Sequence, residues 1–558
     1  MDQLLSQDVI EDLLAASRNG TDGVAYVLEY RQPLITTVEA CLGDLASPGT
    51  AVLSTAAGCS SLLLQALRVL RNACAGGPAA AEELVLRQGV VGFIGKLLFL
   101  VEAATLQLDW QLPLVGAQLL ANAATASPAC ATAVWQATFP LQLNILGHIN
   151  LGPLQSALSL CLLTCCRKVP GAAAALCSPA GSPIMAAVLF AQHQLQQGGK
   201  HNDNLGLLVS YLCFQRGLLP ALALSLTGAT SRAASDNPAD GKAGTQRADS
   251  NGYGTAAALV SGAAMVAASP SLTHVVLLQE LSHEAQAGLS LNMGNEDDKR
   301  AGSTACEASL LFLVSLAEEL ALQAKHGLMT EGQQQVLQDT LQLLRDLAGI
   351  DDSPVEPSSI SQQPTCPVAL LQKAGLLPLL LAMLKALGPI RSSQHPQQAA
   401  QGTASNGCGS SASGSAGSCS SGAVEPLPVA ELAPALAGKA EELPAEPPYF
   451  GYRSDILSVL ANAAYGRPSV KAELQALGGV ELILTQCQMD RQSPLAREWA
   501  LWGVRNLCEG NEAAQAAIRE LQLCTALETE ETRQLGVKLE LDKSSGRLRV
   551  VQRQPQQA

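Results

Sequence analysis

The sequence is poor in aromatic residues: Phe, Trp and Tyr together make up 3% of its 558 residues. Leu and Ala must therefore supply most of the packing, and both residues favour helices that stack at close range. Persistent alternation of apolar and polar residues, the signal of half-buried strands, is nearly absent over 50–225. These two deficits predict a core made of helices.

Positive charge is also scarce, with 34 Lys and Arg against 48 Asp and Glu and a net charge of −14. General nucleic-acid binding and attachment to anionic membranes both rely on Lys and Arg. No uninterrupted apolar run of about 20 residues is present. The opening residues Met1–Leu5 are followed by acids rather than by the apolar stretch of a secretory signal. We therefore expect a cytoplasmic protein without nucleic-acid partners or membrane insertion.

Catalytic motifs are missing as well. The seven His residues fall in no acid–base motif, and there is no phosphate-binding loop, no Gly-x-Ser-x-Gly and no His-Glu-x-x-His. The sixteen Cys residues are scattered without paired spacing, which predicts reduced thiols, mostly in the core. We expect a protein without enzymatic activity or cofactor.

What the sequence does contain is a helix with clear ends between Ser493-Pro494 and Gly510. Ser can cap a helix, Pro fits its first turn, and Gly accepts the left-handed conformation that closes it. Asn511 can then cap the next helix. From Trp499 to Cys508 the residues are apolar almost all round. Such a helix is expected to be buried on more than one side, like the inner helix of a stacked repeat.

The same pattern recurs upstream, at Leu460–Gly466, at Leu70–Gly76 and, in shorter form, at Leu120–Ala124. Residues 462 and 506 are Asn and lie 44 apart, while the Asn residues at 72 and 122 lie 50 apart. Periods of roughly 40–47 residues are typical of armadillo and HEAT repeats, so the second spacing needs a few inserted residues. The sequence therefore predicts an all-α fold, an armadillo/HEAT-like helical repeat solenoid.

Composition divides the chain into six segments. Gly407–Gly422 is almost entirely Gly, Ser, Ala and Cys, which cannot offset the entropy of ordering. Alternating residues at Gly536–Leu541 and Arg547–Val551 flank a turn cluster and predict a small C-terminal β-hairpin. The segments are N-terminal armadillo-like repeats at 1–225, a flexible linker at 226–255, middle repeats at 256–390, a disordered low-complexity insertion at 391–450, a repeat pair at 451–526 and a tail with the hairpin at 527–558.

Three pieces of the C-terminal segment, taken in order, resemble the C-terminal domain of ataxin-10 proteins. They are Leu457–Asn462, Gly478–Cys487 and Arg497–Asn511. The chain departs from that family in its Gly/Ser/Ala-rich insertions. The resemblance implies a helical-repeat protein that acts as a non-enzymatic interaction scaffold, with roles around cytokinesis, cilia or cell survival.

The candidate binding surface is a stripe on the inner helices. Other proteins would bind through it, and a second copy of the chain is a further candidate partner. Its members are Trp499, Trp502, Arg505 and Asn506, continued by Asn462, Asn122 and Asn72. The asparagines have a structural alternative, in which each amide bridges to the backbone of a neighbouring helix and holds the stack together. Trp502 has one too, because a Trp buries a large area in a core.

Two alternative functions follow from single features. A Trp four residues before an Asn, as in Trp502 and Asn506, is similar to the peptide-binding repeats of importin-α, which suggests a carrier of basic peptides. The other asparagines lack that Trp. Cys161, Cys165 and Cys166 cluster on one segment, and soft thiolates could bind Cu(I) in a copper-handling protein.

Overall fold

The structure of the protein is a computed structural model. It describes residues 4–46, 53–87, 89–103, 110–232, 256–287, 296–327, 329–350, 367–390, 434–520, 536–542 and 547–552. The chain divides into two compact units, Met1–Leu376 and Leu377–Ala558, and each is considered by itself.

Helices make up almost all of the first unit in the described ranges. They are α1 (Gln7–Ala16), α2 (Gly20–Glu29), α3 (Arg31–Ala46), α4 (Leu53–Ala75), α5 (Pro78–Glu82), α6 (Val91–Ala103), α7 (Gln111–Ala126), α8 (Pro128–Thr138), α9 (Leu141–His148), α10 (Gly152–Lys168), α11 (Ala172–Leu176), α12 (Ser182–Gln197), α13 (Asp203–Ser210), α14 (Leu219–Arg232), α15 (Ala256–Ala268), α16 (Leu272–Gln286), α17 (Glu296–His326), α18 (Glu331–Ala348) and α19 (Pro367–Lys373), with π-helical turns at Glu83–Arg87 and Tyr211–Gln215.

Two series of stacked helices organise this unit. In the first series, α4 packs on α7, α7 on α10, α10 on α13, α13 on α16 and α16 on α18. In the second series, α3 packs on α6, α6 on α9, α9 on α12, α12 on α14 and α14 on α15. Because each repeat contributes to both series and touches mainly its neighbours, this is the architecture of a helical repeat solenoid. The predicted fold class is confirmed.

Side chains that bond to backbone carbonyls link consecutive helices of the first series. The Asn122 Nδ2 donates to the Arg71 carbonyl at 3.0 Å, from α7 to the end of α4. Lys168 at the end of α10 donates to the Thr125 carbonyl at 2.6 Å, near the end of α7. The hydroxyl of Tyr211 donates to the Cys166 carbonyl at 3.2 Å. The last four carbonyls of a helix have no helical partner, and the bonds to Thr125 and Cys166 satisfy two such carbonyls. All three bonds join neighbouring repeats.

The second unit contains α20 (which begins at the boundary, Leu376–Leu387), α21 (Pro434–Glu441), α22 (Tyr452–Ala464), α23 (Pro468–Ala476), α24 (Gly479–Leu484), α25 (Ala496–Cys508), α26 (Glu512–Glu520), β1 (Val537–Asp542) and β2 (Arg547–Gln552). Here α22 packs along α25, and α24 contacts α23, α25 and α26. The two strands pair antiparallel, from Val537 opposite Gln552 to Asp542 opposite Arg547. The predicted hairpin is confirmed, while its turn, 543–546, lies outside the described residues.

Two predicted segment boundaries differ from the structure. Helix α14 continues to Arg232, seven residues into the segment predicted as a linker, and 233–255 lie outside the described residues. The predicted disordered insertion is wrong for 434–450, where α21 forms and Leu443 is 2% exposed. Ala440 and Leu443 are apolar enough to be buried, unlike the Gly/Ser-rich stretch before them. Residues 391–433 lie outside the described part.

No single helix in the described ranges has both the length and the apolar composition needed to cross a membrane. Three pairs of consecutive helices have that length and composition when the two helices of a pair are joined, but each pair is sharply bent at the break between them.

Candidate protein-interaction site

Helix α25 carries most of the predicted site, and its two ends form differently from each other. At the C-terminal end, Gly510 has φ +66° and the Asn511 Oδ1 accepts from the Ala514 N–H at 3.2 Å, so both predicted signals are confirmed. At the N-terminal end, the helix begins at Ala496. Ser493 is not its cap: this buried hydroxyl accepts from the Arg453 N–H at 3.2 Å and thereby serves α22 instead.

One side of α25 is buried and the other is open, which contradicts the prediction of burial on more than one side. The buried residues are Ala496, Ala500, Gly503, Asn506 and Leu507. On the opposite side Leu501 is 50% and Trp502 is 45% exposed. The helix is apolar nearly all round, but its neighbours α22, α24 and α26 leave Leu501 and Trp502 about half exposed. The open side therefore presents apolar surface within the described part of the unit.

Asn506 belongs to the buried side and bonds to the neighbouring helix. Its Nδ2 donates to the Ala461 carbonyl at 2.9 Å, near the end of α22. Asn122 makes the equivalent bond to the Arg71 carbonyl in the first unit. In both cases the accepting residue directly precedes the Asn of the earlier repeat, at 462 and 72. These two amides thus make the backbone bridges that the structural alternative describes.

The other two predicted asparagines have different surroundings. Asn72 donates from Nδ2 to the Ser17 hydroxyl at 3.0 Å, and its Oδ1 accepts from the Nη2 of Arg71 at 2.8 Å. Asn462 is half-buried, and its carbonyl accepts from the Arg467 Nη1 at 3.0 Å. Asn72 and Asn122 lie in the first unit, and the remaining predicted residues lie in the second.

Trp502 and Arg505 are brought together on the open side of α25. The guanidinium carbon of Arg505 lies 4.8 Å from the centre of the Trp502 ring, over its face. This cation–π contact orients an exposed ring that also has Leu501 beside it. The structural alternative for Trp502, packing in the core, is therefore wrong. Trp499, on the same helix, is half-buried. We define the α25 face as Glu498, Leu501, Trp502 and Arg505.

A buried arginine that the sequence analysis missed, Arg453, links three segments of the second unit through its side chain. Arg453 is 4% exposed, and its Nε donates to the Asp490 Oδ2 at 3.0 Å. Its Nη1 donates to the Gly388 carbonyl at 3.0 Å and to the Gln486 Oε1. Burial lowers the pKa of Arg453, and the Asp490 carboxylate opposes that effect. Nothing in a single sequence marks this arginine as buried, since its partners lie more than 30 residues away.

The three clustered cysteines lie inside the stack. Cys161, Cys165 and Cys166 are buried on α10. The pKa of Cys161 is raised by a hydrogen bond with Cys165 and by burial, and that of Cys166 is raised by burial. Thiolates, the form that binds metals, are therefore disfavoured there. Among the described residues no group of three or more His, Cys, Asp or Glu is placed to hold a metal ion.

Comparison with known proteins finds similarity in the C-terminal domain. A family profile described as the spinocerebellar ataxia type 10 protein domain matches residues 452–551. An ataxin-10 homologue of Dictyostelium discoideum is 32% identical over 89 residues, which is 16% of this chain and 15% of the relative. Ataxin-10 of Xenopus tropicalis is 28% identical over 72 residues, 13% of this chain and 15% of that protein. The homologue of Debaryomyces hansenii is 24% identical over 116 residues, 21% of this chain and 24% of its own.

These matches cover about a quarter or less of the length of each relative. An engineered protein of known crystal structure aligns over 90% of this chain and 97% of its own, but a TM-score of 0.32 at 13% identity is too low to bear on the fold. Residues 452–551, which the family profile matches, contain α22, α25 and nearly all of the hairpin, and therefore contain the α25 face. The chain therefore contains, at residues 452–551, a C-terminal domain of the ataxin-10 type.

Proposed function

We propose that the protein is a non-enzymatic interaction scaffold of the ataxin-10 type that recruits other proteins through the α25 face. The observation that carries this proposal is the half-exposed Trp502 held under Arg505, with Leu501 beside it. Trp and Arg are the residues most enriched among those that dominate binding energy at protein interfaces. A stacked helical array suits the role, because a rigid, extended surface can hold several partners.

The test is a comparison of the partners bound by the wild-type chain and by Trp502→Ala/Arg505→Ala. Both side chains are exposed, so the variant should keep its helical content and its unfolding midpoint. We expect at least one defined partner to bind roughly tenfold more weakly or to be lost. The matched control is Trp110→Ala, which removes from the first unit a Trp that is 55% exposed, against 45% for Trp502, and should bind as the wild type does. An unchanged partner set in the double variant would refute the role of this face.

A second copy of the chain is another occupant that the α25 face fits. If two copies of α25 packed antiparallel about a point between Leu501 and Trp502, Glu498 of each helix would lie opposite Arg505 of the other. Opposite charges at such positions favour self-association and set its orientation. Sedimentation of Glu498→Arg and Arg505→Glu separately should show weakened association, and the variant with both changes should recover it. Failure of the recovery would remove this occupant.

We further propose that the scaffold works in the cytoplasm in cytokinesis, at cilia or in cell survival, as the ataxin-10 resemblance suggests. A fluorescent fusion followed through division would be expected at the division site or the ciliary base. The same fusion carrying Trp502→Ala/Arg505→Ala should lose that position if the α25 face provides it. Diffuse fluorescence of the wild-type fusion at every stage would count against these roles.

Neither alternative function has a supporting observation. A carrier of basic peptides would need Asn506 to face its ligand, yet that amide donates to the Ala461 carbonyl. The positions four residues before the other asparagines are Arg68, Gln118 and Ser458 rather than Trp. For copper handling, burial of Cys161 and Cys166 disfavours the thiolate form. The scaffold remains the function with most support.

A further inference from the structure

We propose that the first unit binds an acidic segment of a partner protein through a cluster of three arginines, Arg18, Arg68 and Arg71. We call this cluster the arginine site. Arg18 follows the end of α1, and the other two lie one turn apart on α4. The inference rests on the proposed scaffold function and adds to it a second binding site with a defined ligand chemistry.

The hydrogen bonds of the two α4 arginines go to neutral amide oxygens. The Arg68 Nη2 donates to the Gln111 Oε1, and the Arg71 Nη1 donates to the Gln118 Oε1 at 2.7 Å. Arg71 also donates from Nε and Nη2 to the Asn72 Oδ1 at 3.1 and 2.8 Å. The partners on α7 thus hold both guanidinium groups on one side of the α4–α7 pair without neutralising them.

No carboxylate in the described ranges forms an ion pair with any of the three arginines. This is unusual for a chain of net charge −14, in which acids are plentiful. By contrast, the half-buried Arg31 and Arg345 have such partners, Glu83 at 3.2 Å and Asp346 at 3.0 Å. Burial lowers the pKa of Arg71, and the positive charges of Arg68 and Arg18 lower it further. Among the residues that the structure describes, the cluster is therefore a patch of positive charge that no carboxylate compensates.

The chemistry of the patch favours carboxylates. A guanidinium group has five N–H donors in a planar fork, and such forks pair with carboxylates through two parallel bonds. The bonds described above use one N–H of Arg68 and three of Arg71, so both keep donors for a carboxylate, and Arg18 is exposed. Three positive charges on an acidic protein are too few for the many phosphate contacts that hold nucleic acid. A short run of Glu or Asp in a partner protein supplies the charge that the site lacks.

The experiment measures the binding of a fluorescein-labelled decaglutamate peptide to the full chain by anisotropy at low ionic strength. We expect saturable binding that weakens as salt is added, because exposed charges are screened. Arg68→Gln/Arg71→Gln should weaken it about tenfold or more, since two charged contacts are lost. The matched control, Arg167→Gln/Arg216→Gln, removes the same charge from two exposed arginines of the same unit and should bind as the wild type does.

A second variant separates loss of binding from loss of fold. Gln118→Glu puts a carboxylate where the Arg71 Nη1 already donates at 2.7 Å. The internal acid should occupy the site, so peptide binding should be lost while the unfolding midpoint stays the same or rises. A midpoint that falls together with binding would mean that the change acted through the fold.

Three results would overturn the proposal. They are no saturable binding of decaglutamate by the wild type, wild-type binding by Arg68→Gln/Arg71→Gln, and saturable binding of pyrophosphate without binding of the peptide. If decaglutamate binding fails but the chain still captures partners through the α25 face, the arginine site alone is wrong. If the Trp502→Ala/Arg505→Ala comparison fails as well, the scaffold function fails with it.

Discussion

Replacement of Asn506 by Ala is the most direct test of how the repeats of the C-terminal domain are joined. The side chain is 1% exposed, and its Nδ2 donates to the Ala461 carbonyl at 2.9 Å. In a regular helix, the Tyr465 N–H would bond to that carbonyl. Here it donates to the Asn462 carbonyl at 3.2 Å instead. The amide of Asn506 is therefore the partner that the end of α22 relies on.

The expected loss of stability follows from this geometry. Asn506→Ala leaves a buried carbonyl without that donor, and an unsatisfied buried polar group costs about 1–3 kcal/mol. We expect a loss near the middle of this range, about 2 kcal/mol, because the amide is buried and its removal also leaves space in the core. Glu498→Ala on the exposed side of the same helix should change stability by less than about 0.5 kcal/mol.

Denaturation by guanidinium followed through Trp fluorescence can resolve this loss. Two of the four Trp residues lie on α25 and two, Trp110 and Trp135, lie in the first unit. Replacing the latter two by Phe makes the signal specific for the second unit, which matters because two units need not unfold together. A loss of about 2 kcal/mol should lower the midpoint by roughly 0.5 M.

Asn506→Asp provides the complementary test. Near pH 8 an ionised carboxylate would face the Ala461 carbonyl, so this variant should be less stable than Asn506→Ala. Burial raises the pKa of such a carboxyl in the folded protein above its unfolded value, so stability should be regained as pH falls and the group becomes a donor again. A midpoint for Asn506→Ala within error of the wild type would refute the bridge and return Asn506 to the candidates for partner contact.

Three further changes test other buried polar groups. Burial raises the pKa of Asp339 from 3.8 to about 6, against hydrogen bonds from two Gln side chains, so this group favours folding below about pH 4 and loses that contribution as pH rises through about 6. Asp339→Asn should reduce the fall in unfolding free energy between about pH 4.5 and about pH 7.5 by about 2 kcal/mol; an identical pH profile would exclude this. Asp490→Ala should cost about 3–5 kcal/mol because it leaves the Arg453 charge buried without its partner, measured as the guanidinium midpoint of the second unit; Asp490→Asn should cost less. Lys471→Met should cost about 1–2 kcal/mol, since the buried ammonium donates to the Glu509 carbonyl at the end of α25; a midpoint equal to the wild type would show that water replaces it.

Local signals predicted the ends of several elements well. Gly510 and Asn511 act as expected because a left-handed glycine and an Asn cap are properties of a few consecutive residues. The hairpin at 537–552 follows from alternation and a turn, which are equally local. Ser493 failed as a cap because its hydroxyl had a second possible partner, the Arg453 N–H, 40 residues away. A single sequence does not show such a competitor.

The candidate site was predicted in part. The repeat pattern correctly marked α25, but it did not separate Asn506, which is buried, from Trp502 and Arg505, which are exposed. Residues four apart share a helical side only approximately, and a small rotation of the helix decides which of them is buried. The arginine site was missed altogether. Arg18 follows α1 and the other two arginines lie on α4, and the significance of all three is that no carboxylate in the described ranges pairs with them.

The sequence by itself determined that the chain is helical, that its helices repeat and that its C-terminal domain is of the ataxin-10 type. Those properties depend on apolar spacing, helix ends and motifs that are contiguous in the chain. Only the tertiary structure decided which apolar side of α25 stays open, which amides hold the stack together and which arginines have no carboxylate partner among the described residues. The reason is that burial and charge compensation depend on which helix packs where, and those neighbours lie 40 or more residues away along the chain.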